Sequence, residues 1–154
     1  MSIKSTVRKQ YVRIADRAAQ QLESIQMPSE GWLVTMRKAL GMSGAEVAVR
    51  MNVSRNAVYQ AERNERDGAI TINQMQKLAE AMGGRFVYAI VPEGSVDEVI
   101  RTQARRKAEA RIRRASAHMA LEKQSLPSAQ TKQRIEELAD ELARDLPPDF
   151  WEIK

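Results

Sequence analysis

Apolar residues recur every three or four positions along most of this chain, which is the spacing of one face of an α-helix. Over residues 6–26 they alternate with basic residues, which predicts an amphipathic N-terminal helix. After a break at residues 28–31, the spacing resumes at Trp32 and stops at Gly41, a residue type common at helix ends. The pattern predicts a mainly α fold.

Residues 42–65 contain two short helices separated by a tight turn. Ser43 can cap the first helix, and Glu46, three residues later, can complete a capping box. Asn52 suits the left-handed conformation at which a helix ends, and Ser54 can cap the second helix. Two capped helices joined by such a turn are typical of a DNA-binding helix-turn-helix.

The second of these helices has a face rich in groups that can bond to base edges. Arginine can bind guanine through two hydrogen bonds, and asparagine or glutamine can bind adenine in the same way. The predicted base contacts are Arg55, Asn56, Tyr59 and Gln60. The alternative is a polar face exposed to solvent, or a motif that binds protein.

Phosphate contacts are expected beside the base contacts, because they orient a protein on DNA without specifying sequence. Ser43 and Gly44 begin the preceding helix, where backbone N–H groups can bind a phosphate. Three further polar residues are candidates for the same role, although they could equally be solvated. They are Arg63, Asn64 and Arg66.

This segment resembles the Xre or phage-repressor-like helix-turn-helix family, whose pattern is Ser/Thr-Gln-x-x-Leu-Ala-x-x-x-Gly-Val-Ser-x-x-x-Ile-x-x-x-Glu. Gly44 stands where the family commonly has a glutamine that bonds to phosphate, and Asn52 replaces the usual turn glycine. The resemblance implies base contacts at the four positions named above. It also implies a structural ion pair between Arg37 and Glu62. The corresponding positions are Ser43, Val47, Ala48, Val53, Ser54, Val58 and Glu62.

Over roughly residues 28–92 the chain is similar to the small family called mobile mystery protein A. The similarity lies in Gly31, Trp32 and the segment ITINQMQKLAEAMGGRFVYAIVP. Members of that family are typically encoded beside a Fic-domain protein. The resemblance therefore implies a regulator, or an antitoxin, of a mobile-element operon.

Residues 85–91 are rich in β-branched and aromatic residues and end before Pro92, which predicts a short strand. The sequence offers no second strand of comparable quality, and an unpaired strand exposes backbone donors and acceptors. We therefore expect this strand to join two subunits of a homodimer. The predicted dimerisation residues are Phe86, Val87, Tyr88, Ala89, Ile90 and Val91.

The remaining chain predicts two more helices with opposite charge. Residues 101–114 are rich in arginine, and residues 136–145 are rich in acidic side chains. The basic helix can either hold DNA phosphate or pair with the acidic helix in an antiparallel hairpin. Phe150 and Trp151 can either anchor a partner protein or fold back onto these helices.

The expected architecture is a helix-turn-helix core of four to five helices, with one short intersubunit strand and flanking N- and C-terminal helices. Its segments are an N-terminal amphipathic helix (1–27), an Xre-like helix-turn-helix domain with the terminal strand (28–92) and a C-terminal helical extension (93–154).

Composition narrows the function. The 154 residues include 25 Lys and Arg against 20 Asp and Glu, and the net charge of +5 favours an anionic partner such as nucleic acid. The absence of cysteine excludes disulfides, thiol catalysis and a zinc finger. No apolar run suits secretion or a membrane span, which favours the cytoplasm and no membrane partner. Because no nucleophile motif, glycine-rich phosphate loop or metal-ligand cluster is evident, we expect no enzyme activity, cofactor or metal.

These observations predict a sequence-specific transcriptional regulator, a repressor of its own mobile-element operon that binds an inverted repeat in double-stranded DNA as a homodimer. The first alternative is an antitoxin or protein-interaction module that binds a companion Fic-domain protein. The second is an architectural basic protein that binds DNA without sequence preference.

Overall fold

The computed structural model describes residues 3–121 and 128–152, and helices are the only regular secondary structure that these residues form. The mainly α class predicted from the sequence is confirmed. The helices are α1 (Ile3–Leu22), α2 (Trp32–Ala39), α3 (Gly44–Met51), α4 (Arg55–Asp67), α5 (Ile72–Ala81), α6 (Val96–Leu121) and α7 (Ser128–Asp145).

Contacts between the helices divide the chain into two units. One unit is Ser24–Ala89, which contains α2 to α5. The other combines Met1–Glu23 with Ile90–Lys154 and contains α1, α6 and α7. The N-terminal helix therefore shares a unit with the C-terminal helices, whereas the sequence suggested a separate segment.

The unit of residues 24–89 is organised around one apolar core, to which all four of its helices contribute. Local sequence sets the helix ends: Asn52 ends α3 at φ 56° and Gly68 ends α4 at φ 75°, both left-handed. Thr71 caps α5 by accepting the backbone N–H of Gln74 at 3.1 Å. The buried core residues are Leu33, Val47, Ala48, Val58, Ala61, Met75, Leu78 and Met82.

The single chain forms no strand at Phe86–Val91, so the structure does not support the strand predicted there. Residues 85–91 make no backbone–backbone hydrogen bonds with any residue that the structure describes, and Phe86 packs against the apolar core of the same unit. Composition favours an extended chain here, but a strand also needs a second backbone edge. Within the described part of this chain, no segment supplies that edge. The exposed apolar residues of the segment are Val87, Tyr88, Ile90 and Val91.

The second unit contains an antiparallel pair of α6 and α7, which is one of the two alternatives that their opposite charges left open. Ile100, Ala104 and Ala108 recur every fourth residue of α6 and are buried against Ala139 and Leu142 of α7. The connection between these two helices lies outside the described residues. α1 joins this unit through Asp16, whose carboxylate accepts the backbone N–H of Val96 at 2.8 Å.

The C-terminal turn folds back onto α6, which answers the question that the sequence left open for Phe150. Its ring is fully buried among the apolar residues of α6 and α7, whereas Trp151 is exposed. Gln103 donates to the Phe150 carbonyl at 2.8 Å, and the buried Lys107 ammonium donates to the Asp149 carbonyl. Phe150 is therefore a core residue of this unit.

Candidate nucleic-acid interface

α3 and α4 form a helix-turn-helix whose ends are set by local capping. Ser43 accepts the Glu46 N–H at 3.1 Å, and Glu46 accepts the Ser43 N–H at 3.3 Å, which completes the capping box. After the left-handed Asn52, the hydroxyl of Ser54 accepts the Ala57 N–H at 3.1 Å and starts α4. These caps fix the angle at which the chain enters α4, the helix with the predicted base contacts.

An ion pair holds α4 against α2. The Arg37 guanidinium donates to both carboxylate oxygens of Glu62, at 2.9 and 3.0 Å, and to the Met42 carbonyl at 3.2 Å. The side chains of Arg37 and Glu62 are only 13% and 5% exposed. The hydrogen bond to Glu62 raises the pKa of Arg37, so the guanidinium stays charged. This two-point contact restrains α4 against rotation.

The start of α4 leaves its predicted base contacts accessible. Arg55 and Asn56 are exposed, and no other described group forms a hydrogen bond or ion pair with either side chain. Both lie in the first turn of α4, the part of a recognition helix that enters the major groove. Their hydrogen-bonding groups are available to a base.

Gln60, Arg63 and Asn64 form a hydrogen-bonded group one turn further along α4. The Gln60 amide donates to Asn64 Oδ1 at 2.9 Å and accepts from the Arg63 guanidinium at 2.8 Å. An amide has two N–H donors and two acceptor sites, so Gln60 keeps one of each for a base. Arg66 is exposed at the last turn of α4, without an ion pair to any described residue.

Ser43 and Gly44, which were predicted to bind a phosphate, are less available to DNA than the first turn of α4 is. The Ser43 hydroxyl donates to Glu46 at 3.0 Å, so its donors serve the capping box. Gly44 is buried, and the ring of Tyr59 lies against it. Tyr59 itself is half-buried, with the guanidinium carbons of Arg37 and Arg55 at 5.7 and 6.0 Å from its ring centre.

Glu65 is a structural residue of this site that sequence reasoning missed. Its carboxylate accepts the backbone N–H groups of Trp32 at 2.7 Å and Leu33 at 3.0 Å, and so caps α2. Gly31 has φ 91°, and a Cβ there would meet Glu65 at 2.8 Å. The available signal was that α2 begins after a glycine, without a local side chain to cap it.

The basic helix α6 is largely paired with carboxylates of its own unit. Arg105 meets Glu136 of α7 at 2.7 Å, and Arg101 meets Asp97 at 2.8 Å. The hydrogen bond to Asp97 raises the pKa of Arg101. Arg111 and Arg113 lie 3.6 and 3.9 Å from their acidic partners. This pairing is the alternative to phosphate binding that the sequence left open.

Residues 33–88 match the family model described as helix-turn-helix, the Xre-like type. The matched segment contains both helices of the motif, the ion pair and every predicted contact to DNA. No curated protein and no solved structure matches the chain. The narrower resemblance to mobile mystery protein A stays a prediction. None of the described helices is long and apolar enough to cross a membrane.

Proposed function

We propose that this protein is a sequence-specific, DNA-binding regulator that represses its own mobile-element operon in the cytoplasm. The observation that carries the proposal is the exposed pair Arg55 and Asn56 in the first turn of a capped and ion-paired α4. Arginine and asparagine are the side chains that discriminate guanine and adenine in the major groove. The match of residues 33–88 to the helix-turn-helix family supports the same role. We assign it no enzyme activity, cofactor or metal.

Repression follows from occupancy of the promoter by two copies. In a dimer, two α4 helices would enter major grooves about 34–36 Å apart on an inverted repeat and exclude the transcription machinery. Residues 86–91 supply the contact between subunits in this proposal. Their backbone pairs with no described segment of the chain, and Val87, Tyr88 and Ile90 are exposed, which suits antiparallel pairing with a second copy. The strand that one chain cannot form would then be completed by its partner.

Selection of bound sequences from a random double-stranded DNA pool tests this function. Enrichment of an inverted repeat with half-sites about one helical turn apart is the expected result. Salt-sensitive binding without enrichment would replace the proposal by the architectural alternative. Failure to retain any DNA would reject both.

A protein-interaction role is the second candidate, and α1 is the observation that favours it. Ile3, Tyr11 and Ile14 of this helix are 84, 68 and 66% exposed, with basic residues between them. Such a face fits an acidic, partly apolar surface of a companion protein, for which a Fic-domain protein is our candidate. Titration of the purified Fic-domain protein against wild type and Tyr11→Glu, Ile14→Glu tests this role. Equal affinities would reject α1 as the binding face.

A further inference from the structure

Tyr59 lies closer to Gly44 than any residue with a Cβ would permit. A Cβ built on Gly44 would be 2.5 Å from Tyr59 Cζ and 2.7 Å from the hydroxyl oxygen. Gly44 is the first residue of α3, whose backbone conformation every residue type can adopt. Glycine is therefore needed there for the space that the Tyr59 ring occupies.

The ring covers the end of α3 that was the candidate phosphate site. Gly44 is buried beneath it, and the donors of Ser43 are used by the capping box. The box also places the exposed carboxylate of Glu46 at this end, where it would repel a phosphate. Ser43 and Gly44 are consequently poor partners for DNA in this chain.

The Tyr59 hydroxyl is free to take that role. It makes no hydrogen bond with any described group, and its ring is held in place by Gly44 below and by the guanidinium groups of Arg37 and Arg55 nearby. Tyr59 follows Arg55 by one helical turn, so it lies beside the predicted base contacts and on the side of α4 that meets α3. A phenol O–H is a donor that bonds well to phosphate oxygens.

We propose that Tyr59 binds a DNA phosphate through its hydroxyl, and that Gly44 is present to seat its ring. Tyr59 thus orients α4 in the groove, whereas Arg55 and Asn56 select the bases. This inference rests on the proposed DNA-binding function, which it deepens by separating the residue that orients from those that specify.

Tyr59→Phe, which removes only the hydroxyl, tests the inference in the full-length protein. Affinity is measured for the selected operator and for random DNA of equal length, each at several salt concentrations. We expect both affinities to fall by the same factor, about 10- to 100-fold, as for one lost hydrogen bond to a charged acceptor. The salt slope should not change, because the hydroxyl carries no charge. Tyr11→Phe, at an exposed tyrosine of α1, is the matched control and should change neither affinity.

Two results would overturn the assignment. A loss confined to the operator would make Tyr59 a base contact, and no loss on either DNA would leave its hydroxyl without a role. If the wild-type protein bound neither DNA, the proposed function would fail together with the inference. If the wild-type protein binds DNA with sequence preference and Tyr59→Phe has no effect, the inference about Tyr59 is rejected and the proposed function stands.

Gly44→Ala tests whether the space above Gly44 is needed to position the Tyr59 ring. Its Cβ must displace the Tyr59 ring, so we expect a loss of affinity at least as large as that of Tyr59→Phe, with unchanged helicity by circular dichroism. In a Tyr59→Ala background the same substitution should cost less than 2-fold, because the space is then empty. Additive losses in the two backgrounds would show that Gly44 acts independently of Tyr59.

Discussion

Substitution of Arg55 or Asn56 should reduce sequence discrimination on DNA without unfolding the protein. Both are exposed and contribute to neither apolar core. We expect Arg55→Ala and Asn56→Ala each to weaken operator binding by about 1–3 kcal/mol while affinity for random DNA changes much less. Parallel binding isotherms on the two DNAs measure the difference. Equal losses would mean that these residues contribute only to general DNA affinity.

We expect the ion pair of Arg37 and Glu62 to contribute to folding stability and not to the recognition of bases. Replacing Glu62 by Ala leaves the partly buried guanidinium of Arg37 without its carboxylate, and we expect a loss of about 3 kcal/mol in unfolding free energy. The double variant Arg37→Met, Glu62→Met should lose less, because no unpaired charge remains. Urea denaturation measures both. A double variant as unstable as Glu62→Ala would place the cost in lost packing.

Glu65 offers a separate test of α2. We expect Glu65→Ala to lower the unfolding free energy by about 0.5–2 kcal/mol, since two N–H groups at the start of α2 lose their acceptor. Asp67→Ala, which removes a nearby carboxylate that makes no such bond, is the matched control. Equal stability of Glu65→Ala and wild type in thermal melts would show that water replaces the cap.

At the scale of helices and strands, interactions between near neighbours in sequence were predictable and distant ones were not. The capping box of Ser43 and Glu46 and the left-handed end at Asn52 depend on residues within one turn, so their pattern is visible in the sequence. Glu65 caps α2 from more than 30 residues away. The glycine before α2 indicates that a local cap is missing, but the sequence does not identify Glu65 as its replacement. The same holds for Phe150, since its burial depends on where α6 and α7 meet.

The strand predicted at Phe86–Val91 does not form in the single chain, for a different physical reason. Residue composition reports how well a segment suits an extended backbone, but pairing requires a second segment. Residues 85–91 have a composition that suits a strand, but no segment among residues 3–121 and 128–152 pairs with them. The contact of Tyr59 with Gly44 could not be predicted from the sequence for the same kind of reason, because it depends on the packing of α4 across α3.

The segment after α5 therefore carries the prediction about association. If residues 86–91 pair with a second copy, Val87→Pro should remove a backbone donor, weaken dimerisation and leave the helical content of residues 24–89 unchanged. Val87→Thr keeps a β-branched side chain and the backbone donor, so it should remain a dimer. Light scattering and circular dichroism measure the two properties. A dimeric Val87→Pro variant with native helicity would move the subunit contact to another surface.

The distribution of charge over the whole molecule decides which basic residues face DNA. Net charge alone favours an anionic partner, but four of the six arginines of α6 are paired with carboxylates of their own unit, namely Arg101, Arg105, Arg111 and Arg113. Arg55 and Arg66 of α4 form no ion pair with a described residue. A cation that already neutralises a carboxylate releases few counterions when DNA binds. The salt dependence of binding should consequently arise from α4 rather than from the more basic α6.

Two variants that each remove one positive charge test whether α4 or α6 contributes to the salt dependence. Arg66→Gln should lower the magnitude of the salt slope by about 0.9 if Arg66 neutralises one phosphate. Arg105→Gln loses its partner Glu136 instead and should leave the slope unchanged. Its effect on stability should be below about 1 kcal/mol, because both side chains of that pair are exposed. A slope lowered by Arg105→Gln and not by Arg66→Gln would reverse the assignment and make α6 the helix that follows the DNA backbone.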